Sequence, residues 1–315
     1  MTEHRAEHRQ LEGPPVGRLQ EVGGRRLMLH RSGSGGPPVV FLPGASAVGL
    51  DYLNVHDRAS ELTTSVLYDR GGTGWSDHAG EPAAARPPAI TLPRSAAEVA
   101  TELRDLLRAA GVTGPYLLVA HSLGGAYARR FGQLFPGEVA GVLYLDAFYE
   151  DSDAYLPERL HLARLRQPEP GPVQLALMRP FMRRMYRRMF AGWPENVRVV
   201  LIERHLSPEW WQVGVRERSN MPELADELTG GGNVPDVPVI VLTPLGIDPG
   251  MRLLMSPKSL REEAEGKRRR NQALADSVSR GEHRLLEGAR HSTITVDSPD
   301  AVVQAIRDLL DRAAA

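Results

Sequence analysis

The chain has 315 residues, is 42% hydrophobic and 24% charged, carries a net charge of −1 at pH 7 and contains no cysteine. That length and balance fit one large globular α/β unit with an insertion, or two units. Near-neutrality offers no general attraction for nucleic acid or anionic lipid, and the lack of thiols excludes disulfides, thiolate metal sites and a cysteine nucleophile. Residues 1–16 read as a disordered leader ending near Pro14-Pro15, and the charged stretch Met1–Gln10 lacks the apolar core of a secretory signal. Gly17–Glu21 and Arg26–Arg31 around Gly23-Gly24 predict a β-hairpin. Val39–Leu42 and Ser65–Tyr68 follow as short apolar strands, the second running into Asp69-Arg70-Gly71-Gly72.

Ser95 with Glu98 has the form of a capping box and opens an amphipathic helix through Leu107. Tyr116–Ala120 predicts a strand and Gly125–Phe135 a helix, with Val142–Leu145 and Val239–Thr243 as further strands. Apolar strands alternating with helices imply a mostly parallel sheet covered on both faces. Between Ala147 and Pro235 the strand signals stop and helical segments rich in Arg, Met and Trp take over. Met178, Met182, Met185 and Met189 recur at helical spacing among arginines, which predicts a Met face packed on the core. A lid lining an apolar pocket, or a helix lying on a membrane surface, is the alternative. The expected division is therefore a core of residues 17–146 and 236–315 with a helical cap over 147–235. No apolar run approaches the roughly 20 residues of a membrane span, so a soluble, cytoplasmic protein is expected.

Ala120-His121-Ser122-Leu123-Gly124 falls between the predicted strand and helix, where a tight turn of small residues holds a hydroxyl clear of the sheet. Ser122 is the candidate nucleophile, and an ordinary helix-capping serine is the bland alternative. Such a hydroxyl needs a base, and histidine has the right pKa. Of ten histidines, His291 lies on the loop between the last predicted strand, Arg284–Leu286, and the last helix, from Ser298-Pro299-Asp300 through Leu310. His121 and Ser46 are candidates for the substrate pocket; His283 is expected at a strand start, and His4 and His8 in the leader. The acid that orients the base is either Asp248, in the loop after Val239–Thr243, or Asp146, at the end of Val142–Leu145. Both follow carboxyl ends of parallel strands, where such sheets build their sites; Asp248 is preferred and Asp146 is the alternative. Oxyanion donors are expected at the N–H groups of Leu123 and, from Pro43-Gly44-Ala45-Ser46, of Ala45.

Leu42-Pro43-Gly44, Tyr68 to Asp77, Ala120 to Gly125 and Gly288-Ala289-Arg290-His291 together resemble the α/β-hydrolase superfamily over roughly residues 17–313. The resemblance implies the α/β-hydrolase fold, the chain order Ser122, Asp248, His291, and a structural role for the Asp69-Arg70-Gly71-Gly72 stretch. The sequence departs from the usual pattern in two places. Pro43 stands where the family commonly has histidine, and the loop to Asp248 is one residue longer than the common Gly-x-x-Asp form. Dehalogenases and epoxide hydrolases of the family use an aspartate nucleophile, and Ser122 argues against both. The glycines at 71, 72 and 74 lack dinucleotide-binding spacing, and no residue set has metal-ligand spacing. The expected function is thus a serine hydrolase cleaving an ester, thioester or lactone of a small molecule with an apolar acyl part. It needs no cofactor, metal or nucleic acid, and its oligomeric state is left open. C–C bond hydrolysis, acyl transfer or amide cleavage on the same residues, or a binding protein without turnover, are the alternatives.

Overall fold

Gly23 and Gly24, at φ of 55° and 79°, turn β1 (Arg18–Val22) back onto β2 (Arg25–Ser32) as an antiparallel hairpin. The structure, a computed structural model, describes residues 13–77, 90–164 and 171–314; most of the expected leader lies outside these. The chain continues through β3 (Val39–Leu42), α1 (Leu53–Ser60), β4 (Ser65–Tyr68), α2 (Ala96–Ala109), β5 (Tyr116–His121), α3 (Gly124–Leu134) and β6 (Val139–Leu145). Helices α4 (Pro172–Met189), α5 (Glu195–His205), α6 (Pro208–Glu217) and α7 (Met221–Gly230) follow. Then come β7 (Val239–Gly246), α8 (Pro249–Leu254), α9 (Pro257–Asp276), β8 (Gly281–Arg290), the single turn α10 (Ile294–Asp297) and α11 (Pro299–Ala314).

The eight strands form one sheet in the order β1-β2-β4-β3-β5-β6-β7-β8. β2 meets β4 antiparallel, and every pairing from β4 to β8 is parallel. β3, β4 and β5 are buried along their whole length, which explains their unbroken apolar runs. The pleat sends Val40 and Leu42 into a core with Val99, Leu103 and Leu106 of α2. Val39 and Phe41 enter the opposite core with Val55 of α1 and Val302 and Ile306 of α11. Fully burying each such side chain contributes about 1.5–3 kcal/mol, so both faces hold the sheet flat-on between helices.

The capping box forms as expected: Ser95 Oγ accepts the Glu98 N–H at 3.2 Å and Glu98 Oε2 accepts the Ser95 N–H at 2.9 Å. Between β6 and β7 the described residues hold only helices and short turns. The methionine stripe of α4 sits at the edge of its packed face. Met182 is buried, whereas Met178 and Met185 are exposed. None of the described helices is long and apolar enough to cross a membrane.

Candidate active site

Three non-glycine residues with positive φ among those described are Ser46 (62°), Ser122 (50°) and Asp146 (44°). All three follow strand ends on one edge of the sheet, after β3, β5 and β6. Such backbone costs about 1–3 kcal/mol each and persists only where the surroundings impose it. At Ser122 they do so through two hydrogen bonds. Its N–H donates to the Leu145 carbonyl at 3.2 Å, and its carbonyl accepts the Phe148 N–H at 2.7 Å. Gly124 has to be glycine, because a Cβ there would fall 2.1 Å from the Leu42 carbonyl oxygen. Ala120 is fully buried, and its single methyl fits where the usual motif has glycine.

Ser122 Oγ lies 3.1 Å from His291 Nε2, and His291 Nδ1 lies 2.7 Å from Asp146 Oδ2. With Asp146 accepting, Nδ1 carries the proton and Nε2 is free to accept from the serine hydroxyl. His291 is fixed from its own loop, because Arg290 donates from its backbone and guanidinium to Asp297 at 2.8–3.1 Å. Asp146 Oδ2 also accepts from Lys267 Nζ of α9 at 3.0 Å, and Glu263 lies 3.6 Å from the same ammonium. Burial opposes ionisation of Asp146, but Lys267, the His291 hydrogen bond and Arg270 outweigh it and hold the carboxyl well below the usual carboxylate range. Burial likewise opposes the charge on Lys267, and Asp146 and Glu263 outweigh it, so its pKa is raised.

The preferred acid, Asp248, is not beside the imidazole. Strand β7 runs on to Gly246, three residues past the predicted end, and carries Asp248 beyond His291 to the start of α8. There its Oδ2 accepts the Ser292 N–H at 3.3 Å. Asp146 comes directly off β6, the strand that pairs with β5, and its positive φ turns it into the site. The alternative acid of the sequence is therefore the one the fold brings to His291.

The loop Pro43 to Ser46 packs on the serine, a Cβ on Gly44 falling 3.0 Å from Ser122 Cβ. The N–H groups of Ala45 and Leu123 make no hydrogen bond among the described residues, and the N-terminus of α3 adds its dipole at Leu123. Arg70 of the Asp-Arg-Gly-Gly stretch is 1% exposed and clamps this loop. It donates to the carbonyls of Pro43 at 2.6 Å and Gly44 at 2.9 Å, and to Glu217 Oε1 of α6 at 2.6 and 3.0 Å. Glu217 Oε2 in turn accepts the Ser46 N–H at 3.0 Å. The rest of that stretch is a folded turn, Asp69 accepting the Gly49 and Trp75 N–H groups at 2.8 and 2.9 Å.

Both side chains expected to line the pocket are committed to internal partners. Ser46 Oγ accepts from Arg218 at 3.1 Å, and its carbonyl accepts the Trp210 indole N–H at 3.1 Å. Gly214 passes so close that a Cβ there would fall 1.5 Å from Ser46 Oγ. His121 is buried between the Tyr52 hydroxyl, 2.7 Å from Nδ1, and the His291 carbonyl, 3.0 Å from Nε2. Because the His291 carbonyl can only accept, Nε2 of the neutral ring carries the proton and donates to it, and Nδ1 accepts from the Tyr52 hydroxyl, which itself accepts the Gly44 N–H at 3.2 Å. Burial, with His291 nearby, pulls the His121 pKa down to about 3, so the ring is neutral. His283, in β8, contacts Thr243 and Gln272 away from this edge; His4 and His8 lie outside the described residues. Tyr52, Arg70, Glu217 and Lys267 are the site residues that sequence reasoning missed. Only Arg70 stood in a recognisable motif.

A strand–turn–helix serine faces a histidine from the last strand's loop, an arrangement suited to nucleophilic chemistry at the edge of an α/β sheet. The family model described as "Alpha/beta hydrolase family" matches residues 39–305, well over half the chain, and the protein belongs to that family. A Schizosaccharomyces pombe protein is 29% identical over 188 residues, which make up 58% of this chain and 31% of that protein. The chain spans between 31% and 51% of the length of the first curated relatives it matches. Among solved structures, an esterase from Thermogutta terrifontis superposes with a TM-score of 0.61 at 19% identity, covering 94% of this chain and 99% of that one. The epoxide hydrolase CorEH superposes with a TM-score of 0.62 at 17% identity, covering 94% and 98%. At these identities the likeness speaks for the fold alone.

Proposed function

We propose that this hydrolase uses Ser122 as nucleophile, His291 as base and Asp146 as acid to cleave a carboxylic ester, thioester or lactone through an acyl-enzyme. The observation that carries the reading is the relay of 3.1 Å from Ser122 Oγ to His291 Nε2 and 2.7 Å from His291 Nδ1 to Asp146 Oδ2. His291 takes the hydroxyl proton as Ser122 attacks the carbonyl, and Asp146 stabilises the imidazolium. The unpaired N–H groups of Leu123 and Ala45 receive the oxyanion, a role in which one donor is worth roughly 10²–10³ in kcat. His291 then protonates the leaving group, and a water activated by the same base releases the acyl product. Residues 17–146 and 236–315 serve as the core and 147–235 as the cap, which reaches the oxyanion loop through Trp210, Glu217 and Arg218. A serine nucleophile favours a carbonyl substrate with an apolar acyl part over an epoxide.

The test is intact mass after exposure to a fluorophosphonate, with Ser122→Ala as control. One adduct on the native protein and none on the variant is the expected result. An adduct on both, or none on the folded native protein, overturns the assignment of Ser122.

A further inference from the structure

Helix α4 carries five arginines, at 179, 183, 184, 187 and 188, and no acidic residue, in a chain whose net charge is −1. Arg183 is bound to Glu203 of α5 at 2.5 and 3.0 Å, and Arg179 reaches the same carboxylate at 3.4 Å. Arg184, Arg187 and Arg188 are exposed and have no ion-pair partner among the described residues. At about 100° per residue, Leu177, Phe181, Arg184 and Arg188 fall within one sector of about 60°. Leu177 is 78% and Phe181 65% exposed, with Met178 and Met185 exposed beside them. The other face of the helix is anchored: Met182 and Phe190 lie in the core, and the Tyr186 ring stacks on His205 at 4.8 Å.

An outward face with large apolar side chains among unpaired guanidiniums suits a phase that is apolar at depth and anionic at its rim. A second copy of the chain fits poorly, since two-fold pairing through this face would set arginines against arginines. A water-soluble polyanion would satisfy the charges and leave Leu177 and Phe181 in water. We propose that the outward face of α4 docks on an anionic lipid surface. Leu177 and Phe181 enter the acyl boundary, while Arg184, Arg187 and Arg188 bind headgroup phosphates. The contact is peripheral and does not depend on Ser122.

The test is sedimentation of the whole protein with phosphatidylcholine vesicles, with and without about one-third phosphatidylglycerol, at low and high salt. Binding only to the anionic vesicles, weakened by salt, is expected. At about 1 kcal/mol for each arginine near the surface, the triple change Arg184→Gln, Arg187→Gln, Arg188→Gln should weaken it roughly 100-fold. Leu177→Ser with Phe181→Ser should weaken it at least tenfold with unchanged melting and fluorophosphonate labelling. The absence of native cysteines allows one more readout: Phe181→Cys, labelled with a polarity-sensitive dye, should shift to the blue on anionic vesicles. A protein that stays in the supernatant, that binds both vesicle types alike, or whose binding survives the Leu177 and Phe181 changes overturns the proposal. So does equal affinity for polyglutamate with no dye shift on vesicles.

Discussion

Replacing Asp146 by asparagine tests the site most sharply, because the amide keeps the shape while removing the charge and turning one acceptor oxygen into a donor. Asp146 Oδ2 serves both His291 at 2.7 Å and Lys267 at 3.0 Å. Loss of a triad carboxylate as its amide costs about 10⁴ in kcat, or about 5.4 kcal/mol of barrier. The substitution also leaves Lys267, whose side chain is 14% exposed, with Glu263 at 3.6 Å as its one carboxylate partner among the described residues. The stability loss should therefore fall below the about 3–5 kcal/mol typical of breaking a fully buried pair on one side. Adding Lys267→Met should recover most of that stability and none of the rate, which separates folding from chemistry. Asp248→Asn weakens one 3.3 Å hydrogen bond from the Ser292 N–H, since the amide oxygen still accepts, and should leave the rate within about fivefold of native. The assay is the second-order rate of fluorophosphonate labelling followed by intact mass, with thermal melts alongside. A large loss for Asp248→Asn beside near-native labelling for Asp146→Asn would refute the reasoning.

Glu217→Gln leaves the buried Arg70 guanidinium without its counter-ion and the Ser46 N–H with a weaker acceptor. A melt should show a loss of about 3–5 kcal/mol, together with a lower labelling rate. Tyr52→Phe removes the donor to His121 Nδ1 and the acceptor of the Gly44 N–H; a loss of about 1–3 kcal/mol by urea denaturation is expected. Two buried neutral rings each contribute to the pH dependence of stability. Burial, with His30 nearby, lowers His56 to about 3, and burial with His291 nearby lowers His121 to about 3. Both have folded pKa values below the unfolded 6.5, so their neutral-form stability is full above pH 6.5 and is lost as pH falls toward 3. Near pH 5 the two together should cost about 4 kcal/mol relative to pH 7. His56→Gln should flatten urea-derived stability between those values by about half; an unchanged slope would contradict the burial argument.

The sheet was readable because each inner strand is a short unbroken apolar run between helix signals, and burial on both faces demands that pattern. The hairpin was readable from Gly23-Gly24, and α2 from Ser95 and Glu98. Ser122 and His291 could be placed on facing loops because each follows a strand into a local turn. The acid could not be settled in that way. Asp146 and Asp248 both follow strand ends, and what separates them is the three-residue extension of β7 and a left-handed backbone at Asp146, neither of which has a signature in residue type. Lys267 and Glu217 reach the site from helices 121 and 147 residues away in sequence from Asp146 and Arg70, respectively. Amphipathic pattern says that such helices pack but not which polar residue lands where. The outward Leu177 and Phe181 were missed for the opposite reason: periodicity assumes that apolar residues face inward.

Seating the carboxylate on β6 has a consequence for how this scaffold could be altered. The segment from Ile247 to Met255 places no carboxylate beside the His291 imidazole, and among the described residues the hydrogen bond that ties it to the histidine loop is the 3.3 Å one from the Ser292 N–H to Asp248. Insertions, deletions or grafted peptides there should be absorbed locally, since Asp146 is held in register with β5 by β6 and not by this segment. The far end of β7 is thus the place to lengthen or diversify the rim of the site by library methods without resetting the distances between the reacting groups.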